Sequence, residues 1–173
     1  MRIYWAAGMF TTAERDFNAT VVAGLRKMGH EVFLPQEQEQ REATARTIFL
    51  GDVRGIDWAD VVVANIDGAD PDSGTCWEAG YAYNKKPVIL YRTDIREERE
   101  PFGPYNLMLH QSATKVLNCK WDSAAAITFK IDAAIKDMRA PLFADRMVAA
   151  AQKMVSMTEA ERVAWANDMR DGM

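Results

Sequence analysis

DVVVANIDGADPDSGTCWEAGYA, residues Asp60–Ala82, is the stretch whose reading decides the fold. It begins with an apolar, β-branched run, Val61, Val62, Val63 and Ile66, that reads as a buried strand. An acidic loop follows, and a Gly-Thr turn then opens a helical stretch over Gly74–Lys85. Outward from this unit the same alternation repeats. RIYWA (Arg2–Ala6), EVFL (Glu31–Leu34), PVILYR (Pro87–Arg92) and TKVL (Thr114–Leu117) read as further strands. Thr12–Met28, about Glu42–Trp58 and Ser123–Met138 read as further helices; within the second, Ile48, Val53 and Ile56 recur at helical spacing beside Arg54 and Asp57. Strands separated by helices with short connections pair in parallel, because a parallel neighbour needs a crossover, and the helices then cover both faces. The expectation is an α/β fold, an open doubly wound five-stranded parallel sheet.

A length of 173 residues with 49% hydrophobic content suits one compact domain with a sizeable core. No linker or repeat divides the chain, and Glu97–Gly103 (EEREPFG) is its most loop-like interruption. Residues 1–140 are expected to form the α/β domain, and residues 141–173 a C-terminal helical extension of it. In the extension Met147, Ala150, Ala151 and Met154 form one stripe, read as packing or subunit contact, and Thr158 with Glu161 offers a capping box. The formal charge of -4 and pI near 5.3 argue against a nucleic-acid backbone or an anionic membrane as main partner. The opening MRIYWAAGM carries only Arg2 before a short apolar run, and no stretch approaches the roughly 20 apolar residues of a membrane span. A soluble, cytoplasmic protein with a small ligand is expected. Cys76 and Cys119 lack metal-ligand spacing and read as reduced thiols. His30 and His110 read as surface or loop residues, and neither a metal nor a cofactor is expected.

Ligands of open parallel sheets bind beyond the carboxyl ends of the strands, where the strand order reverses. In a flavodoxin-like order, the AAGMF loop after the first strand and the IDGADPDSGT loop after the third flank that point. Local pattern leaves two readings of Asp72 and Glu78. Asp72 or Ser73 could cap the helix, and Thr75 with Glu78 has capping-box spacing. Against a purely structural role, Asp67, Asp70, Asp72 and Glu78 crowd into twelve residues, a repulsion that a cap does not require. A helix N-terminus is expected to hold Glu78 ionised through its dipole. A carboxylate so held can attack a sugar's anomeric carbon while a second acid or a water serves the leaving group. The first loop, AAGMFTTAERD, has one glycine and places Glu14 and Asp16 in the first helical turns, where a phosphate would be repelled. An unphosphorylated ligand is expected. Ala6, Ala7 and Gly8 also lack the acidic residues of a phosphoacceptor receiver domain.

In this order IYWAAGMFTTAERDFN, EVFLPQE, GDVRGIDWADVVVANIDG, DSGTCWEAGYA and YNLML resemble the nucleoside 2-deoxyribosyltransferase family over about residues 2–118, with DSGTxxExGxA and the later NLM the specific parts. The resemblance implies a flavodoxin-like fold and transfer of a 2-deoxyribosyl group between nucleobases by a retaining double displacement. Its implied partners are a 2'-deoxynucleoside and a free nucleobase, with a role in nucleotide salvage. Carried over by position, Glu78 is the nucleophile, Tyr4 orients it, Asp72 holds the sugar hydroxyls, and Asp52 helps to protonate the leaving base. Gly8 and Phe10 flank the base from the AAGMF loop, and Glu39 contacts it from PQEQEQ. Asn106 and Met108 match residues given to a neighbouring subunit's site, which implies a homo-oligomer. Each has a plainer reading: core for Tyr4 and Phe10, solvated helix surface for Asp52, loop surface for Glu39. Some family members end in a short tail whose carboxylate enters an adjacent site, whereas this chain runs on to Met173. Water taking the sugar would make an N-glycoside hydrolase of the same residues, and a noncatalytic nucleoside-binding module is a third reading.

Overall fold

The computed structural model describes residues 1–38, 44–96 and 106–138. Five parallel strands, β1 (Arg2–Ala6), β2 (Glu31–Phe33), β3 (Val61–Asn65), β4 (Val88–Arg92) and β5 (Lys115–Asn118), form one sheet among the described residues. Their order, β2-β1-β3-β4-β5, is the flavodoxin-like doubly wound order. The helices are α1 (Thr12–Lys27), α2 (Ala45–Trp58), α3 (Ser73–Ala82), α4 (Leu107–Ser112) and α5, which occupies residues 124–138. The chain divides into two compact units, Met1–Ala134 and Ile135–Met173, and the sheet belongs to the first. The EEREPFG stretch and the expected extension over 141–173, with its Met stripe and capping box, lie outside the described residues.

Successive side chains of a strand point to opposite faces, and here both faces are covered. On one face Tyr4, Ala6, Val62, Ala64, Val88 and Leu90 pack with Ile56 of α2, Ala79 and Ala82 of α3 and Leu109 of α4. The alternate residues Ile3, Trp5, Val61, Val63, Ile89 and Tyr91 are equally buried. There α1 is pinned by a bond from the Trp5 indole to Asn18 Oδ1 at 3.0 Å. Helix α5 lies close against α1: a Cβ on Gly24 would come within 2.8 Å of Thr128. Double coverage is why the strands read as continuous apolar runs rather than alternating ones.

Three sequence expectations change. The third helix ends at Ala82 rather than Lys85, because the chain turns through Asn84 at φ 63, a left-handed conformation that asparagine tolerates. Helix α4 was not expected, since its six residues are too few to show a repeat; Asn106 starts it by accepting from Met108 N (2.9 Å) and Leu109 N (3.4 Å). His30 is buried rather than on the surface. Its Nε2 lies 3.0 Å from Asp132 Oδ1 on α5, and its Nδ1 lies 3.4 Å from the N-terminal ammonium. That partner is 102 residues away in sequence, beyond any local pattern.

Candidate active site

The strand order reverses between β1 and β3, so the loops after these strands form the crevice. The loop after β1 is fixed from behind: Asn18 Nδ2 donates to Gly8 O at 2.9 Å. Thr11 and Glu14 form a capping box at the start of α1. Glu14 Oε2 accepts from Phe10 N (3.0 Å), Thr11 N (2.7 Å) and Thr11 Oγ1 (2.9 Å). Bonds from Thr11 and Phe10 hold the Glu14 carboxyl below its usual range. Gly8 is close to the same side chain, since a Cβ there would lie 2.9 Å from Glu14 Oε1. Phe10 is 78% exposed, which removes the core-packing alternative for it.

The loop after β3 is held by one of the crowded carboxylates. Asp67 accepts from Thr93 N (2.6 Å), Thr93 Oγ1 (2.5 Å), Asp94 N (2.8 Å) and Asn65 Nδ2 (3.0 Å). Gly68, at φ 100, donates to Asp94 Oδ2 at 3.0 Å, while the buried Arg92 donates through Nη1 to Ile66 O (2.6 Å) and Gly68 O (3.0 Å). Asp67 therefore ties the β3 and β4 loops together, which sequence spacing alone did not distinguish from a role in the site. Asp72 caps α3, its Oδ2 accepting from Thr75 N at 2.8 Å. The Thr75–Glu78 capping box does not form.

Glu78 instead turns toward the sheet. The Tyr4 hydroxyl, fully buried on β1, donates to Glu78 Oε1 at 2.5 Å. The expectation that the helix dipole holds Glu78 ionised is overturned: Glu78 is the sixth residue of α3, and the dipole's influence fades within the first turn. Burial pushes its carboxyl up to about 7; the Tyr4 bond pulls it down, and the charges of Asp52 and Asp72 push it up. Burial and the neighbouring Glu78 and Asp52 raise the Tyr4 hydroxyl far above the usual phenol range, so it remains a donor. Asp52, on α2, is half-buried and raised by that burial, which removes the solvated-surface reading.

The structure thus brings Tyr4, Glu78, Asp52 and Asp72 into one electrostatic cluster. Gly8, Phe10 and Asp72 line a cavity of about 540 Å³ together with Glu14, Asn18 and Asp67. Asn106 and Met108 line a second groove with Cys76 and Tyr83, which adjoins the first cavity at Asp70, and Met108 is 76% exposed. Glu39 lies outside the described residues. Among the described residues no cluster of three or more His, Cys, Asp or Glu is arranged to hold a metal. Sequence reasoning missed Phe33 and Gly55. The Phe33 ring stacks on that of Tyr4 with centroids 5.5 Å apart. A glycine inside the helical run GDVRGI was the available signal for a close approach.

A half-buried carboxylate with a raised pKa, in one electrostatic cluster with two further carboxylates at the crevice of a doubly wound sheet, defines a site suited to acid–base or nucleophilic carboxylate chemistry. The model of the nucleoside 2-deoxyribosyltransferase family matches residues 3–117, more than half of the chain, and the chain belongs to this family. Comparison with curated proteins gives no match. Among solved structures, the 2-deoxyribosyltransferase of Bacillus psychrosaccharolyticus is 30% identical with a TM-score of 0.56, covering 68% of this chain and 85% of that one. The 2-deoxyribosyltransferase of Leishmania mexicana is 25% identical with a TM-score of 0.57, covering 76% and 97%. The CMP N-glycosidase of Clostridium botulinum shares the fold at 21% identity and a TM-score of 0.55, covering 78% and 99%.

Proposed function

We propose that the protein transfers a 2-deoxyribosyl group between nucleobases, with Glu78 forming a covalent glycosyl intermediate. The observation that carries this reading is the hydrogen bond from Tyr4 of β1 to Glu78 Oε1 of α3, in one electrostatic cluster with Asp52 and Asp72. With Oε1 occupied by Tyr4, the other oxygen of ionised Glu78 attacks C1′ of a 2'-deoxynucleoside. The C1′–oxygen bond forms as the C1′–nitrogen bond breaks, and the departing nucleobase takes a proton from the protonated form of Asp52, the carboxyl group on α2 that acts on Glu78. The incoming base then attacks C1′, returns its proton to Asp52 and releases Glu78, so two inversions give net retention. Asp72 uses Oδ2 as a helix cap, which leaves Oδ1 for a sugar hydroxyl. Phe10 borders the base.

The substrate in this reading carries no 5'-phosphate. Glu14 already takes the backbone donors of Phe10 and Thr11 that a phosphate at this helix start would need. Asn106 and Met108, in the second groove, would serve a neighbouring subunit's site, which makes the working form a homo-oligomer. The deciding experiment is chromatography of the protein with 2'-deoxyinosine, alone and with adenine or cytosine, beside Glu78→Ala. New deoxynucleoside that needs both the acceptor and Glu78 supports transfer. Free base and deoxyribose released at equal rates with or without acceptor would make the protein a hydrolase. No turnover across a nucleoside panel, with ligand binding retained in Glu78→Ala, would leave a binding module.

A further inference from the structure

We infer that Phe33, seated against Gly55, is a positioning residue that sets the orientation of the Tyr4 ring and thereby the hydrogen bond it donates to Glu78. The parallel register of β1 with β2 pairs Tyr4 with Phe33, and that of β1 with β3 pairs Tyr4 with Val62. Paired residues of neighbouring strands share a face, so the Tyr4 ring stands in a row between Phe33 and Val62. The Phe33 and Tyr4 rings are stacked, with centroids 5.5 Å apart and planes inclined by 17°. Gly55 of α2 backs this pair. A Cβ at Gly55 would meet Phe33 Cδ1 and Cε1 at 2.8 Å and Cζ at 2.9 Å, a separation that only glycine permits. Glycine inside a helix is unfavourable by about 1 kcal/mol relative to alanine, and here the missing side chain is the space the ring needs.

The geometry makes a relay. Helix α2 presses on Phe33 through Gly55, Phe33 fixes the plane of Tyr4, and Tyr4 holds one oxygen of Glu78. A hydrogen bond of 2.5 Å depends strongly on direction, so a small tilt of the phenol ring lengthens or misaligns it. Asp52 lies three residues before Gly55 on the same helix, so displacement of α2 would move two of the groups that act on Glu78. Among the described residues, the charged and titratable groups facing Glu78 are Tyr4 from β1, Asp52 from α2 and Asp72 at the start of α3.

The inference deepens the proposed site and rests on that reading for its catalytic meaning, so its test does not depend on turnover. The variants are Phe33→Leu, Gly55→Ala and, as reference, Tyr4→Phe, each checked for folding by circular dichroism. The readout is the Glu78 titration midpoint, followed by the carboxyl carbon resonance in carbon-labelled protein. Loss of a hydrogen bond to the charged form raises a carboxyl midpoint, so Tyr4→Phe is expected to raise it by about one unit. Phe33→Leu is expected to raise it by about half a unit, because the phenol remains but is no longer held. Gly55→Ala moves it in the same direction by displacing the ring from the other side. A merely structural role for Phe33 lowers the melting temperature and leaves the midpoint where it is. Unchanged midpoints in Phe33→Leu, with a shift in Tyr4→Phe, overturn the inference even if Gly55→Ala fails to fold. Failure of the transferase reading shows separately, as absence of turnover in the wild-type protein.

Discussion

Replacing Glu78 by Gln should make the folded protein more stable above neutral pH while removing its chemistry. Burial raises the Glu78 carboxyl from 4.5 to about 7 in the folded chain, so the unfolded state holds the ionised form more readily. The sign follows from proton linkage: a raised carboxyl contributes stability that is fully present below its unfolded value and is lost as pH rises through the folded one. A shift of about 2.5 units at about 1.36 kcal/mol per unit penalises the folded state by about 3 kcal/mol near pH 8. Near pH 5 the same two values leave a penalty of about 1 kcal/mol. Glutamine keeps an acceptor for the Tyr4 hydroxyl and cannot ionise, so the variant escapes both penalties. Its stability advantage should therefore shrink by about 2 kcal/mol between the two pH values, or roughly 4–8 °C in melting temperature for a chain of this size. Thermal denaturation of both proteins at the two pH values measures it. An advantage that does not change with pH, or a glutamine variant less stable than wild type near pH 8, would refute the reasoning, because neither can arise from desolvation of an ionised Glu78.

Other expectations rest on the same geometry. The value of kcat/KM should rise with pH through about 7 as Glu78 ionises, and a profile flat from pH 5 to 8 would contradict a Glu78 nucleophile. Asp72→Ala should lower stability by about 1 kcal/mol through loss of the α3 cap and should also raise KM, whereas Asp72→Asn should keep the cap and lose only the charge, which denaturation and steady-state kinetics would separate. Asp132→Ala should destabilise by about 1–3 kcal/mol by removing the carboxylate paired with buried His30, with kcat of the remaining folded protein unchanged. A 2'-deoxynucleoside 5'-monophosphate should react at least about tenfold less efficiently than its nucleoside, and Glu14→Gln, which keeps the capping box without the charge, should narrow the gap.

The class of fold was legible because its cause is local. Val61–Asn65 and Val88–Arg92 are apolar on both faces, which a strand requires only between two helical layers. The spacing of strands and helices then left parallel crossovers as the connection. Asp72 and Glu78 could be chosen as candidates because their loop falls at the crevice of such a sheet. Helix α4 escaped notice because its start depends on one Asn106 side chain rather than on a periodic pattern. The state of Glu78 was misread because local spacing suggested a helix-end carboxylate, whereas its surroundings come from Tyr4, 74 residues earlier, and from Asp52 on another helix.

By itself the sequence determined an α/β chain with five apolar strands, an acidic crevice loop and motifs that mark its family, since hydrophobic period, turn residues and short motifs act over a few residues. Only the tertiary structure decided which carboxylates serve the fold and which are left to act. Asp67 is spent on joining two loops and one oxygen of Asp72 on starting a helix, while Glu78 is half-buried and held by Tyr4, with its titration moved toward neutrality. The reason is physical: a pKa is set by burial and by nearby charges and hydrogen bonds, and the described groups that act on Glu78 arrive from three separate parts of the chain.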